Sequence, residues 1–555
     1  MRATVEVTQR RLASVDPRGS AASWYATGFV VLVAAVLRFH GLAQPQGKLF
    51  DETYYAKDGW GLLTKGVEWN YRDDGPAYVV HPPLGKWLIA LGEWAFGYYD
   101  IDGDQRLTGH LANMPPEFGW RFSAAVAGTI SVLLIVRIGR RLFGSTLLGC
   151  AAGLLLALDG FHLVLSRVAM LDIFLLLFVL ATFGVLLVDR DHRRAAWLRA
   201  LGYGPADRPA SGPTNGADGP DRLADGAAID PADGAANGPT DRPADRAADG
   251  AEPATGIPWL RLLAALLFGC AVATKWSALF FLPVFALLIL WWDAGARRSA
   301  GVARPWRETL RRESGWLAAC AVVIAAVYLA SWSGWLLTDH GYYRHYRADT
   351  GRSELPVIGA LQNLVHYHQQ AFGFHSTLQD KHPSQSWPWQ WLLLGKPVTV
   401  HLAYPGAPWG TAPVSEIVLL GTPLLWWSFL PTLVASGWLA VARRDWRPAA
   451  ILLVVAAGLL PWFYYAVDAH RVMFNFYTAP ILPFMVLAVV YVLGVVIGPP
   501  GPEHADRRLI GAVSAGAYLV LVVLCFAYFH ALFVGDFLPY ADWADRMWLG
   551  SRWHP

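Results

Sequence analysis

Charged side chains are scarce in this sequence: Asp, Glu, Lys and Arg make up 16% of its 555 residues, against 55% hydrophobic ones. A chain so poor in charge cannot cover itself with a water-facing surface, which excludes an ordinary soluble domain and points to repeated membrane crossings. The formal net charge of +3 is too small, and its Lys and Arg too dispersed, for a nucleic-acid partner. Cysteine is nearly absent as well. Cys150, Cys270, Cys320 and Cys525 each fall in an apolar stretch without disulfide or metal-ligand spacing, so they read as packing residues. No small-residue cleavage site follows the first apolar run, which is expected to stay as an anchor.

Long apolar windows are what the chain has instead. Eleven of them, near 22–39, 120–139, 146–165, 169–188, 258–274, 276–292, 315–337, 414–441, 449–466, 477–497 and 508–533, are long enough for about 30 Å of hydrocarbon. Arg clusters at 10–11, 137–141, 193–194, 297–312, 443–444 and 507–508 fall on alternate loops, which the positive-inside rule places in the cytoplasm. The expected division is a cytoplasmic tail 1–21, a membrane module 22–203, a linker 204–256, a second module 257–533 and an outer tail 534–555. Two long loops, 42–119 and 338–413, then face outward. The linker repeats Ala-Asp-Gly, Pro-Ala-Asp and Asp-Arg-Pro and lacks large apolar side chains, the composition of a disordered cytoplasmic segment.

Just past the outer end of the first window stands Phe50-Asp51-Glu52-Thr53-Tyr54-Tyr55, a carboxylate pair at the depth of a lipid phosphate. His81-Pro82-Pro83 then opens a stretch, Leu84–Phe96, whose apolar residues follow helical spacing with Lys86 and Glu93 opposite. This spacing predicts an amphipathic helix lying in the interface. Basic residues should be scarce at the outer ends of spans, yet Arg38, Arg121, Arg167 with Asp172, Lys275 and Arg471 are all there. Each is a candidate for contact with a donor phosphate or substrate, and each also has a structural reading as a snorkelling or paired charge.

A carboxylate amid cations at a lipid surface is what glycosyl transfer from a lipid phosphate requires. The carboxylate takes the proton of an attacking hydroxyl while cations neutralise the departing phosphate, which needs no general acid. Asp51 is assigned as the base, with Glu52 orienting it or binding the acceptor. His366, His368, His375 and His382 in the second outer loop invite a metal reading. Spacing of i,i+2 does not bring His366 and His368 to one helical face, so contacts to sugar or peptide, or loop packing, are favoured.

The chain resembles the protein O-mannosyltransferases of the GT-C class, in particular the actinobacterial polyprenol-phosphate-mannose–protein mannosyltransferases. The resemblance rests on Arg38 with Phe50-Asp51-Glu52, His81-Pro82-Pro83-Leu84-Gly85-Lys86, Trp120-Arg121 and Arg167 through Asp172. It continues through Gly269 to Lys275-Trp276, Ser386-Trp387-Pro388-Trp389 with Leu392 to Gly395, and Phe476-Tyr477 to Phe484. It implies an all-α polytopic GT-C fold and inverting transfer of mannose from a polyprenyl-phosphate donor to Ser or Thr hydroxyls of exported proteins. Asp51 is the implied base, with Glu52 beside it and Arg38 and Arg121 as essential basic residues. It also implies a plasma-membrane enzyme with the bilayer as its neighbour and no cofactor, a divalent metal being left open, while the extracytoplasmic site and a coupling to export through a secretion channel are expectations from the topology. One departure is plain: loop 338–413 is too short for the β-trefoil MIR domain of eukaryotic members. The rival readings are a GT-C transferase with a lipid or glycan acceptor and a transporter or flippase.

Overall fold

A computed structural model of the chain describes residues 12, 19–99, 106–202, 253, 256–379, 381–405 and 410–553. All but residues 253 and 256 of the linker expected over 204–256, and most of the tail 1–21, lie outside the described residues. Among those described, nine helices are long and apolar enough to cross a membrane. They are Ala21–Phe39, Pro116–Phe143, Leu171–Ala200, Trp276–Ser299, Pro305–Ser331, Pro423–Ala442, Trp446–Val467, Asn475–Ile497 and Pro502–Phe529. A further pair, Thr146–Ala157 and Gly160–Arg167, is apolar enough when taken together and is bent by 63° at its break. Asp159 stands at the break and caps the second helix by accepting the His162 N–H at 2.9 Å. The remaining window is a 16-residue helix, Trp259–Thr274, that ends at Lys275.

The window expected at 414–441 is a helix only from Pro423. Its start, Ser415–Leu419, is a strand paired antiparallel with Val398–Ala403. Glu416, Ile417 and Val418 suit a sheet, and Pro423 sits in the first helical turn, where its missing N–H costs nothing.

The described chain forms two compact units. The smaller comprises Met1–Ser14, Asp189–Pro258 and Ile289–Ser314. In it Trp197, Leu201, Ala296 and Ala300 share a small core. Arg193 pairs there with Glu313 at 2.8 Å and Asp293 at 3.5 Å. The larger unit, Val15–Val188, Trp259–Leu288 and Gly315–Pro555, holds most of both membrane modules expected from the sequence. They share one core: Leu482–Val490 is buried throughout, with Thr146–Ala157 from the first module and Pro423–Ala442 from the second packed around its helix. The segment after 533 also packs rather than trails. Trp543 Nε1 donates to Glu416 at 2.8 Å and Trp553 Nε1 to the Leu394 carbonyl at 2.7 Å.

In the first outer loop, Glu52–Lys65 and Leu84–Phe96 are helices packed on each other, and Leu84–Phe96 also packs on Pro116–Phe143. Absent side chains allow the close approach: a Cβ on Gly92 would strike the Gly119 carbonyl, and one on Gly59 would lie 2.9 Å from Glu93 Oε2. The apolar side of Leu84–Phe96 is the one left outward, as an interfacial helix requires, and the charged side is turned into the protein. Lys86 and Glu93 are fully buried, while Leu91 and Trp94 are 54% and 40% exposed. The reason is that the neighbouring helices cover the charged side and neutralise it. Lys86 is paired with carboxylates, and burial raises the Glu93 pKa well above its usual value.

Candidate active site

Asp51 caps the Glu52–Lys65 helix, and the turn before it is tight: Phe50 has φ 44°, the left-handed region uncommon for a residue with a side chain. Glu52 fixes that turn. Its Oε1 accepts from Arg121 Nε at 2.8 Å and the Ala169 N–H at 2.9 Å. Its Oε2 accepts from Arg121 Nη2 at 2.9 Å and the Leu49 N–H at 2.8 Å. Arg121 spends its remaining donors on the carbonyls of Leu42, Pro45 and Gly47. Both side chains are fully buried and fully satisfied, so neither has a bond left for a substrate.

Asp51 is the opposite case. Among the described residues its side chain accepts a single hydrogen bond, a long one from Tyr55 Oη at 3.5 Å. Burial pushes its pKa up to about 6, with Lys275 lowering it and Asp172 raising it. A carboxylate that is ionised near neutrality, poorly bonded and open to a cavity is suited to accept a proton.

That cavity, about 650 Å³, is lined by Asp51, Tyr55, Asp58, His81, Lys86, Lys275, His375, His382, Arg471 and Tyr477 among others. Lys275 follows the Trp259–Thr274 helix and donates to both Asp172 oxygens at 2.9 Å, leaving one proton of the ammonium for the cavity. Arg471 donates from Nε to the His375 carbonyl at 2.6 Å and lies 5.6 Å from the Tyr477 ring. Among the described residues it has no carboxylate partner. His81 and His375 face each other with ring centroids 5.2 Å apart. Burial, with Arg471 and Lys275 near, lowers His375 to about 4, and His81 also falls well below its ordinary value. Both rings are therefore neutral hydrogen-bonding groups at pH 7. A second cavity of about 310 Å³ shares His81, Lys275, His375, Arg471 and Tyr477 with the first and is otherwise mostly apolar, with Leu279, Phe280, Phe372 and Trp462 in its wall.

Of the residues singled out in the sequence, Asp51, Lys86, Lys275 and Arg471 line the larger cavity, and Asp172 stands behind Lys275. Arg38, Glu52, Arg121 and Arg167 do not line it. Arg38 is fully buried, donating to the Ala34 carbonyl and paired with His162 Nδ1 at 2.7 Å. Arg167 donates to the carbonyls of Leu37, Arg38, His40 and Gly41, pinning the exit of the first span. His366 stacks on Tyr346 at 3.6 Å and His368 bonds Tyr328 Oη at 2.6 Å, so each is held by a ring. Among the described residues no three His, Cys, Asp or Glu side chains converge as metal ligands. Asp58 and Glu68 went unnoticed. Asp58 stands at i+7 from Asp51, a spacing that one helical face repeats and a sequence pattern reveals. Glu68 carries no such signal.

Two family models match the chain: dolichyl-phosphate-mannose-protein mannosyltransferase over residues 28–204, and the C-terminal four TMM region of protein-O-mannosyltransferase over residues 360–553. The first contains Asp51 and the second Arg471. The chain is 36% identical over 553 residues to the polyprenol-phosphate-mannose–protein mannosyltransferase of Mycolicibacterium smegmatis (strain MKD8), covering 96% of this chain and 94% of that one. The Corynebacterium glutamicum protein of the same name is 30% identical, over 95% of this chain and 93% of its own. The Saccharomyces cerevisiae Pmt1-Pmt2 complex, solved bound to the sugar donor, shares the fold at a TM-score of 0.65 and 13% identity, covering 99% of this chain and 94% of that chain. The all-α, multi-pass GT-C architecture read from the sequence is thus the architecture of this protein. The chain belongs to the protein O-mannosyltransferase family, alongside the polyprenol-phosphate-mannose–protein mannosyltransferases of mycobacteria and Corynebacterium.

Proposed function

We propose that this protein transfers mannose, with inversion, from polyprenyl-phosphate-mannose to Ser or Thr hydroxyls of exported proteins. One observation carries the reading: Asp51 shares a single cavity with two cations, Lys275 and Arg471, at the point where an apolar side cavity joins it. The phosphate lies against Lys275 and Arg471, and the first isoprene units enter the side cavity past Leu279, Phe280 and Trp462. Asp51 then faces the sugar from the side opposite the leaving group. An acceptor hydroxyl between Asp51 and the anomeric carbon gives its proton to the carboxylate as the new C–O bond forms and the C–O bond to phosphate breaks. The electron pair goes to the phosphate, whose growing charge Lys275 and Arg471 meet. The scheme calls on no metal ion. Asp172 holds the Lys275 ammonium in place, and Glu52 with Arg121 holds the Asp51 turn.

In this reading Arg121 and Arg167 position the loop that carries the base and its entry, and Arg38 ties the first span to the Gly160–Arg167 helix, rather than touch the phosphate. The outward placement of loops 42–119 and 338–413 puts the chemistry on the extracytoplasmic face of the plasma membrane. A cavity of about 650 Å³ admits an extended segment and not a folded domain. Acceptors are accordingly met as unfolded chains, beside the secretion channel. The test is transfer of labelled mannose from polyprenyl-phosphate-mannose, in membranes containing the protein, to a Ser/Thr peptide and to its Ala/Val counterpart. Label in the first peptide alone is expected; label found only in lipid or glycan would move the acceptor to that class.

A further inference from the structure

Asp58 takes no part in the scheme above, yet it opens into the same cavity as Asp51. The two carboxylates stand at i and i+7 on one helix face, about 10 Å apart along its axis, with Tyr55 between them. Lys86, fully buried, donates to Glu68 and lies 3.6 Å from Asp58 Oδ2. Its charge is shared with Glu68, and among the described residues Asp58 accepts no closer hydrogen bond. The result is an unspent carboxylate beside an ammonium group, with the Tyr78 and His81 rings in the same wall. A donor set next to an acceptor set, flanked by flat rings, matches vicinal hydroxyls on a sugar rather than an anion. A second phosphate would meet the excess carboxylate here and be repelled.

We propose that Asp58, with Lys86 beside it, is the subsite that reads the hydroxyls at the far edge of the transferred hexose. The inference rests on the donor orientation proposed above. With the phosphate at Lys275 and Arg471, the sugar ring extends from that end past Asp51 toward Asp58. Asp58 accepts from two neighbouring hydroxyls while the Lys86 ammonium donates to one of them. Selection for a particular hexose then comes from a site that pairs with hydroxyls, because a donor lacking one leaves a buried polar group unpaired.

The experiment uses the full chain in proteoliposomes with polyprenyl-phosphate-mannose and with donors lacking one sugar hydroxyl at a time, comparing kcat/KM. Wild type is expected to reject at least one such donor by about 100-fold or more, and Asp58→Ala to lower that ratio to about threefold or less. Inhibition by sugar-free polyprenyl phosphate is expected to be unchanged in Asp58→Ala, which also reports that the variant is folded. Indifference of wild type to every missing hydroxyl would overturn the proposal without any variant, as would full discrimination retained in Asp58→Ala. Arg471→Ala is expected to lose inhibition by polyprenyl phosphate. Unchanged inhibition there would overturn the donor orientation first, and the sugar subsite with it.

Discussion

At residues 51 and 52 two neighbouring carboxylates have unequal hydrogen bonding, and the inequality divides their roles. Glu52 accepts four bonds from Arg121 and two backbone amides, whereas Asp51 has only the long contact from Tyr55. Glu52→Gln leaves the Arg121 guanidinium buried without its counter-charge, a change that costs about 3–5 kcal/mol. Thermal unfolding in detergent is expected to fall by a corresponding margin, with activity lost alongside. An unchanged melting temperature would contradict the strut. The pH profile belongs to Asp51. Its raised pKa of about 6 means that the carboxylate is protonated, and useless as a base, below that value. The rate kcat/KM should therefore fall toward about tenfold per unit as pH drops below 6, and level off above it. A rate still flat at pH 5 would exclude Asp51 as the titrating base. The sequence displayed Asp51, Lys86, Lys275 and Arg471 because charge at a span end is conspicuous. It ranked Arg38, Arg121 and Arg167 with them, since the His162 ring that meets Arg38 and the carbonyls that absorb Arg121 and Arg167 lie on segments brought near only by folding.

Among the elements, the helix Leu84–Phe96 connects sequence to site most directly. Its spacing announced a helix with a charged side opposite an apolar one, but not what covers the charged side, because Asp58 and Glu68, which pair with Lys86, come from elsewhere in the loop. The same limit applies at 414–419, where an apolar run fits a span and a buried strand equally until its pairing with Val398–Ala403 decides. Close packing of the loop helices depends on Gly92, whose Cβ position the Gly119 carbonyl occupies. Gly92→Ala must push Leu84–Phe96 off Pro116–Phe143, at about 1–3 kcal/mol, and displace Lys86 with it. Lower thermal stability with a raised KM for the donor is expected; wild-type behaviour in both would mean that the helices are free to separate.

For the molecule as a whole, the placement of the helices was legible in advance, since the eleven apolar windows all contain helix, while the side each loop faces is what the alternation of basic loops predicts. The division into two membrane modules was less so. Leu482–Val490 lies in the core of a body built from both, and nothing local in an apolar helix names its neighbours. The topology has a direct consequence for labelling. In a chain whose own cysteines are replaced by Ala, a membrane-impermeant thiol reagent is expected to label Lys381→Cys in intact cells. Arg443→Cys should react only in inverted vesicles. The reverse pattern would put the Asp51 cavity in the cytoplasm and dismiss an exported acceptor.

All of this converges on the proton taken by Asp51. The most direct measurement is mannose transfer from polyprenyl-phosphate-mannose to a Ser/Thr peptide by wild type and Asp51→Asn, with binding of polyprenyl phosphate followed in the same preparations. Asn fills the same volume but cannot accept the proton, so transfer should fall at least about 100-fold with phosphate binding retained. Transfer at the wild-type rate by Asp51→Asn would contradict the assignment of the base.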